Sequence, residues 1–218
     1  LVMPDGSSYG TVGGSSVEAK IIAAAIISLR EGKCLKISYN LDDEVQHDTG
    51  MICGGTMEFF IEPVNTAPLL YIFGAGHVAL PLARLASQVG FDYIIIEDRP
   101  EFATRERFPE ARELLIAKPD ELAGQINFSS NDYIAIVSRS HEIDFQVLRR
   151  VINKPFHYLG LIGSKKKRQQ IFDRLRDEGV SAEQINTIHT PIGLEIGAES
   201  PQEIAVSIVA ELIKIKNT

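Results

Sequence analysis

The residues best suited to chemistry begin with a glycine turn, Gly74-Ala-Gly76-His77-Val-Ala79, set between an apolar run and a helix-patterned stretch. Small residues at this spacing suit a backbone that cradles phosphate. Gly74 permits the tight turn, Gly76 lets an anion approach the main chain, and Ala79 lets helix and strand pack closely. The first amides of the following helix would face that anion, with the positive end of the helix dipole behind them. A second apolar run, Tyr93 to Ile96, closes on Glu97-Asp98-Arg99. Asp98 is placed to accept from a ribose hydroxyl, and Arg99 beside it softens a preference for NAD over NADP. The competing reading is a strand-to-helix turn that binds nothing. An apolar stripe of Val78, Leu82, Leu85 and Val89, capped by Gly90, favours the nucleotide-type fold.

Three further segments carry reactive side chains. Gly163-Ser164-Lys165-Lys166-Lys167-Arg168 opens a helix pattern with four cations. Cations there oppose the helix dipole by roughly 0.3–1 kcal/mol each when exposed. A bound anion removes the conflict, so the segment reads as an anion site centred on Lys165 and Lys166; the alternative is a solvated basic face. Ser138-Arg-Ser-His141-Glu-Ile-Asp144 offers His141 as proton shuttle or ligand, with Asp144 orienting it. Equally, Asp144 is a helix cap and His141 a surface residue. In Met51-Ile-Cys53-Gly54-Gly55 the thiol precedes two glycines, whose N–H groups would stabilise a thiolate. That suits a sulfur ligand, a persulfide carrier or a nucleophile, against the plainer reading of a small apolar residue at a strand edge. Cys34 falls inside an apolar strand pattern and is expected in the core. The histidines, at 47, 77, 141, 157 and 189, show no metal-ligand spacing.

The elements that must position these residues divide into two parts. Residues 1–66 read as a small α+β domain. It has a hairpin from Leu1-Val2-Met3 through Pro4-Asp5-Gly6 to a strand over Ser8–Val12, then a helix over 17–30, N-capped by Ser15 or Ser16 and buried on several sides. Strands follow around Leu35–Tyr39 and Met57–Ile61. Residues 69–218 alternate strand and helix. Strands are predicted at 69–73, 93–96, 114–116, 133–137 and 158–162, and helices at 77–89, 119–126, 143–153, 165–178 and 201–216. Near-continuous apolar strands with intervening helices predict a Rossmann-like doubly wound parallel sheet, an α/β fold. Ligands of such sheets sit beyond the carboxyl ends of the strands, here the loops 74–77, 97–100, 138–144 and 163–168.

The chain has 218 residues, 44% of them hydrophobic, and a formal net charge of −7, which argues against nucleic acid or an anionic membrane as partner. Two cysteines make no disulfide framework, and the longest apolar stretch, Val17 to Leu29, is broken by Glu18, Lys20 and Ser28. A cytoplasmic protein is expected, and because the chain begins at Leu1, sequence upstream of it is expected too.

In order along the chain stand Gly10-Thr-Val-Gly-Gly-Ser-Ser-Val-Glu18, Gly50-Met-Ile-Cys-Gly-Gly55, Phe73-Gly-Ala-Gly-His-Val-Ala79 and Glu97-Asp-Arg-Pro-Glu-Phe-Ala103. Gly160-Leu-Ile-Gly-Ser-Lys-Lys-Lys167 and Pro191-Ile-Gly-Leu-Glu-Ile-Gly-Ala198 follow. This ordered set resembles the XdhC/CoxI family, accessory proteins of xanthine dehydrogenase and related molybdenum hydroxylases, across essentially the whole chain. The resemblance implies a cytoplasmic protein that binds molybdenum cofactor (molybdopterin), protects it during sulfuration and delivers it to the apo-hydroxylase. A cysteine desulfurase is an implied second partner, and a homodimer is compatible. By motif, Cys53, Gly54 and Gly55 become ligand contacts, with Cys53 touching molybdenum or its sulfido ligand. Gly74, Gly76, His77, Asp98, Ser164 and Lys165 join them, and Gly74–His77 or Gly163–Lys166 would cradle the terminal phosphate. Two departures stand out: Ser16 occupies a place where many relatives carry cysteine, and the family's usual first strands fall upstream of Leu1. The competing functions are an NAD(P)-dependent oxidoreductase, read from the glycine turn and Asp98, and an interaction scaffold with an empty fold.

Overall fold

The computed structural model describes residues 1–13, 15–31, 33–40, 55–64 and 67–218, with the backbone alone for Ser15, Arg30, Glu31 and 165–167. The chain forms two compact units, Leu1–Thr66 and Ala67–Thr218.

In the first unit, helix α1 (Ser15–Glu31) packs on an antiparallel ribbon of β1 (Leu35–Asn40) and β2 (Thr56–Ile61). The ribbon alternates half-buried and exposed residues, so it has one covered face. Accordingly α1 buries a single stripe, Val17, Ile21, Ala25 and Ser28, and leaves Ile27 48% exposed. The expectation of burial on several sides fails because a two-stranded ribbon covers one side of a helix. Cys34 lies just ahead of β1 and is exposed, which corrects its expected place in the core. The opening hairpin reduces to one bridge, Val2 with Ser8, closed by a turn at Gly6, and no strand forms over residues 9–12.

The second unit is built on six parallel strands: β3 (Leu69–Phe73), β4 (Asp92–Glu97), β5 (Glu113–Ile116), β6 (Tyr133–Ile136), β7 (Tyr158–Leu161) and β8 (Ile188–His189). Their order, β5-β4-β3-β6-β7-β8, is that of a Rossmann-like sheet. The chain winds outward one way from β3 and resumes on its other side at β6. Helices α2 (Ala79–Gln88) and α7 (Pro201–Lys216) cover one face, over Leu70, Ile72 and Ile95, with Leu82 and Leu212 facing in from the helices. Helices α3 (Pro119–Gln125), α4 (His141–Val151), α5 (Lys165–Asp177) and α6 (Ala182–Asn186) cover the other, over Phe73, Ile96, Ile136 and Leu161. Burial on both faces is why the inner strands are apolar runs without alternation.

The strand and helix pattern of residues 69–177 and 201–216 is matched closely, with two shifts of consequence. Helix α2 starts at Ala79, two residues later than predicted, and α4 starts at His141, two residues earlier. The short elements α6 and β8 went unpredicted, since two strand residues carry no periodic signal. Register aligns Phe73 with both Ile96 and Ile136, so the carboxyl ends of β4, β3 and β6 lie side by side.

Candidate ligand site

At the end of β3 the two glycines serve different purposes. Gly74 has φ +115°, and a Cβ there would lie 2.7 Å from the Val137 carbonyl oxygen and 2.8 Å from Ser138 Cα. It is glycine because the end of β6 presses against it. Gly76 has nothing within 4 Å of an added Cβ. Helix α2 then begins at an N-cap, Val78, that offers no side-chain acceptor, so its opening turn keeps amides free of a side-chain cap. Between the glycines Ala75 is pinned at both ends. Its N–H donates to Glu97 Oε2 at 3.0 Å, and its carbonyl accepts from Arg107 Nη2 at 2.9 Å.

Glu97, 2% exposed, is the hub of an ion cluster at the end of β4. Arg99 grips it with Nε at 2.9 Å and Nη2 at 3.0 Å, and Arg139 Nη1 reaches it at 3.1 Å. Arg139 also takes Asp98 side-on, Nη1 to Oδ1 and Nη2 to Oδ2, the latter at 2.9 Å. A buried carboxylate is costly unless paired and fully hydrogen-bonded, and two guanidiniums against two carboxylates meet that need. The Arg139 hydrogen bonds hold the Asp98 carboxyl well below the usual carboxylate range. Arg99 turns inward and stacks 3.9 Å over Phe102. Asp98, expected to hold a ribose hydroxyl, is thus engaged by Arg139, which comes from the far side of β3.

Arg139 also lines a cleft of about 730 Å³ beyond the carboxyl ends of β6 and β7. Its walls are the loops 138–144, 162–164 and 191–198, and its volume falls in the usual range for small-molecule sites. His141 begins α4, whose cap is Ser140, the Glu142 N–H donating to its Oγ at 3.3 Å. Asp144 is therefore not the cap. It lies 1% exposed beneath the cleft, accepts the Ser138 N–H at 3.1 Å and stands 3.8 Å from His141 Nδ1. Ile162, Ile192, Leu194, Ile196 and Ile204 give the cleft an apolar side.

The 191–198 loop is fixed from beneath. Ile192 N–H donates to the Leu161 carbonyl at 3.0 Å, Leu194 N–H to the Ser207 carbonyl at 3.1 Å, and Gly193 N–H to Glu211 Oε2 at 2.9 Å. Gly193 has φ +95°, and a Cβ would come within 2.9 Å of the Ile208 nitrogen, so no other residue fits against α7. Glu211 further accepts from Tyr158 Oη at 2.5 Å and contacts His189 Nδ1 at 3.2 Å. Burial pushes the Glu211 carboxyl up, but the hydrogen bonds from His189, Tyr158 and Gly193 outweigh it and hold it below its ordinary value. Burial and the neighbouring carboxylate push the Tyr158 phenol well up.

Of the residues singled out from sequence, the cleft brings together His141, Gly163 and Ser164, alongside Arg139 and Asp144. Gly74, Gly76, His77, Asp98 and Arg99 gather at the neighbouring end of β3 and β4, tied to the cleft through Arg139. Lys165 and Lys166 open α5 directly after Ser164. Gly55 lies in the first unit, before β2, with φ +124°. Cys53 and Gly54 lie outside the described residues. Sequence reasoning passed over Arg139, Glu97 and the 191–198 loop as site residues. Their signal was present as an arginine and a glutamate at strand ends and a loop with two glycines. Among the described residues no three His, Cys, Asp or Glu side chains are grouped to hold a metal ion, and no helix is long and apolar enough to cross a membrane.

Residues 70–212 match the XdhC Rossmann domain. The chain belongs to the XdhC family. It is 36% identical over 217 residues to the protein YqeB of Escherichia coli (strain K12), covering 100% of this chain and 40% of that one. It is also 32% identical over 161 residues to a protein of Bacillus subtilis (strain 168) that is named as a probable xanthine dehydrogenase subunit, covering 74% of this chain and 47% of that one. The chain thus spans less than half the length of these curated relatives. A crystal structure titled as a xanthine dehydrogenase from Bacillus halodurans superimposes with TM-score 0.62 at 22% identity, over 99% of this chain and 85% of that one, which shows a shared fold.

Proposed function

We propose that this XdhC-family chain binds molybdenum cofactor and delivers it to a molybdenum hydroxylase of the xanthine dehydrogenase type, acting as a cytoplasmic accessory protein. The observation that carries the reading is the cleft beyond β6 and β7. It pairs an apolar wall, Ile162, Ile192 and Ile196, with a polar end formed by Arg139, His141 and Ser164. A flat pterin with a terminal phosphate needs both: apolar surface for the ring and a donor set for the anion. The residues present fit that group at the level of shape and donor chemistry. Arg139 supplies a planar cationic fork, and Gly163-Ser164 opens α5, where backbone amides favour an anion. When bound, the group supplies a molybdenum centre with an exchangeable sulfur ligand. Cys53 is the residue proposed to contact that centre, with a cysteine desulfurase as the source of sulfur.

An NAD(P)-dependent oxidoreductase is the second reading, favoured by the Rossmann-like strand order and the uncapped start of α2. The inward turn of Arg99 onto Glu97 and Phe102 weighs against its NADP form, because the guanidinium is not presented to a 2′-phosphate.

Native mass spectrometry of freshly isolated protein, with pterin fluorescence after oxidative release, separates the two. Retained molybdopterin is expected. Retained nicotinamide nucleotide, or no uptake of molybdopterin at micromolar concentration, overturns the delivery reading.

A further inference from the structure

The way Asp98 holds Arg139 resembles the way a carboxylate would hold one edge of a pterin. A guanidinium presents two parallel N–H groups, and Asp98 receives both, one on each oxygen. The 2-amino-4-oxopyrimidine half of a pterin is a cyclic acylguanidine and presents a like pair, the exocyclic amine and the adjacent ring N–H. An ionised carboxylate only accepts, so it suits this edge and clashes with any edge that offers it a lone pair. We propose that Asp98 is the ring-selecting residue of the site. In this assignment it exchanges the Arg139 fork for the amino-pyrimidinone edge of the ligand, while Arg139 turns to the ligand's anionic group. The proposal rests on the cofactor reading above and names the residues that give it specificity.

The local geometry makes that exchange self-contained. If Arg139 leaves, Glu97 keeps both Arg99 contacts and the Ala75 N–H, so the buried carboxylate stays satisfied. Only Asp98 loses its partner, and its side chain is 27% exposed, open to an incoming edge. The Arg139 side chain is 40% exposed and already lines the cleft, so its fork has a free path to an anion there. Of the two carboxylates that line the cleft itself, Asp144 is 1% exposed and committed to the Ser138 amide, and Glu195 belongs to the 191–198 loop and not to the Arg139 cluster. The edge chemistry also separates rings. Adenine sets one donor beside an acceptor, and a nicotinamide carboxamide gives one nitrogen, so neither ring matches both oxygens of Asp98, and a nucleotide would have to use its ribose hydroxyls instead.

The test uses the 218-residue chain and calorimetric titration with pterin-6-carboxylate and lumazine-6-carboxylate. These probes share ring shape and anion but differ in an amine against an oxo group at position 2. The unmodified protein is expected to favour the pterin about ten-fold or more, since a site shaped to accept N–H rejects an analogue that faces it with oxygen. Asp98→Asn, whose carboxamide has one acceptor and one donor, is expected to abolish the preference. Arg139→Gln is expected to keep the preference and weaken both acids alike. The comparison on unmodified protein needs no variant to fold, and far-ultraviolet dichroism controls for the variants. Equal binding of the two probes, or a preference that survives Asp98→Asn, overturns the assignment while the cofactor reading stands. Binding of neither probe, with molybdopterin also refused, overturns both.

Discussion

Gly193 gives its N–H to the carboxylate of Glu211 at 2.9 Å, so a side chain near the end of the last helix fixes the floor of the cleft. The same carboxylate receives the buried Tyr158 hydroxyl. One acidic residue therefore couples α7, β7, β8 and the 191–198 loop, and removing it takes the acceptor from the Gly193 N–H and the Tyr158 hydroxyl and the partner from His189 Nδ1. Glu211→Ala is expected to destabilise the second unit by about 2–4 kcal/mol, on the basis of about 1–3 kcal/mol for each buried donor left unsatisfied. Urea denaturation followed by tyrosine fluorescence and circular dichroism measures it. A loss under about 0.5 kcal/mol would show that the loop is held by its other contacts.

The same group sets an acid dependence. Its folded pKa lies below the ordinary glutamate value of about 4.3, so its contribution is complete above that pH and fades as pH falls through the folded pKa. The stability gap between the native chain and Glu211→Gln is expected to be constant from about pH 7 to about 5 and to narrow below about 4.3. Denaturation midpoints across that range supply the check. A gap that widened in acid would mean that the carboxylate is not the stabilising form.

Asp144 tests the other wall of the cleft. Its buried carboxylate accepts the Ser138 amide at the turn out of β6. Asp144→Ala is expected to cost about 1–3 kcal/mol and to loosen the 138–141 segment. Hydrogen exchange at the Ser138 amide reads the effect locally: exchange should quicken there while the amides of β3 keep their protection. Unchanged protection at Ser138 would remove Asp144 from this supporting role.

The sheet was legible because its inner strands are buried on both faces, and such strands write themselves as unbroken apolar runs: Leu69–Phe73 and Tyr93–Ile96 are examples. The long helix α7 was legible to the residue, because Ser200, Pro201 and Glu203 form a local capping box. The site was not legible in the same way. The Asp98–Arg139 pair joins residues 41 positions apart, and Gly193 meets Glu211 across 18. Neither has a period or a motif, since each exists only when the strand order sets the loops side by side. His141 and Ser164 were singled out because strand ends could be located, and their meeting in one cleft followed from β6 and β7 being neighbours. Arg139 lay in the same loop and went unremarked, its partners lying across β3.

The two glycines of the turn, read from the motif as a tight turn at Gly74 and an anion approach at Gly76, differ in what a side chain would meet. Gly74→Ala places a Cβ at φ +115° within 2.7 Å of the Val137 carbonyl oxygen, so both backbone and neighbour must shift. A loss of about 2–4 kcal/mol is expected, combining left-handed strain of about 1–3 kcal/mol with the contact against β6. Gly76→Ala meets open space and is expected to change stability by no more than about 0.5 kcal/mol, as for an ordinary surface substitution. Thermal and urea denaturation of the two variants side by side measure this difference. Should Gly74→Ala fold as stably as the native chain, the close approach of β6 to the turn would be wrong, and with it the placement of Arg139 over the end of β3.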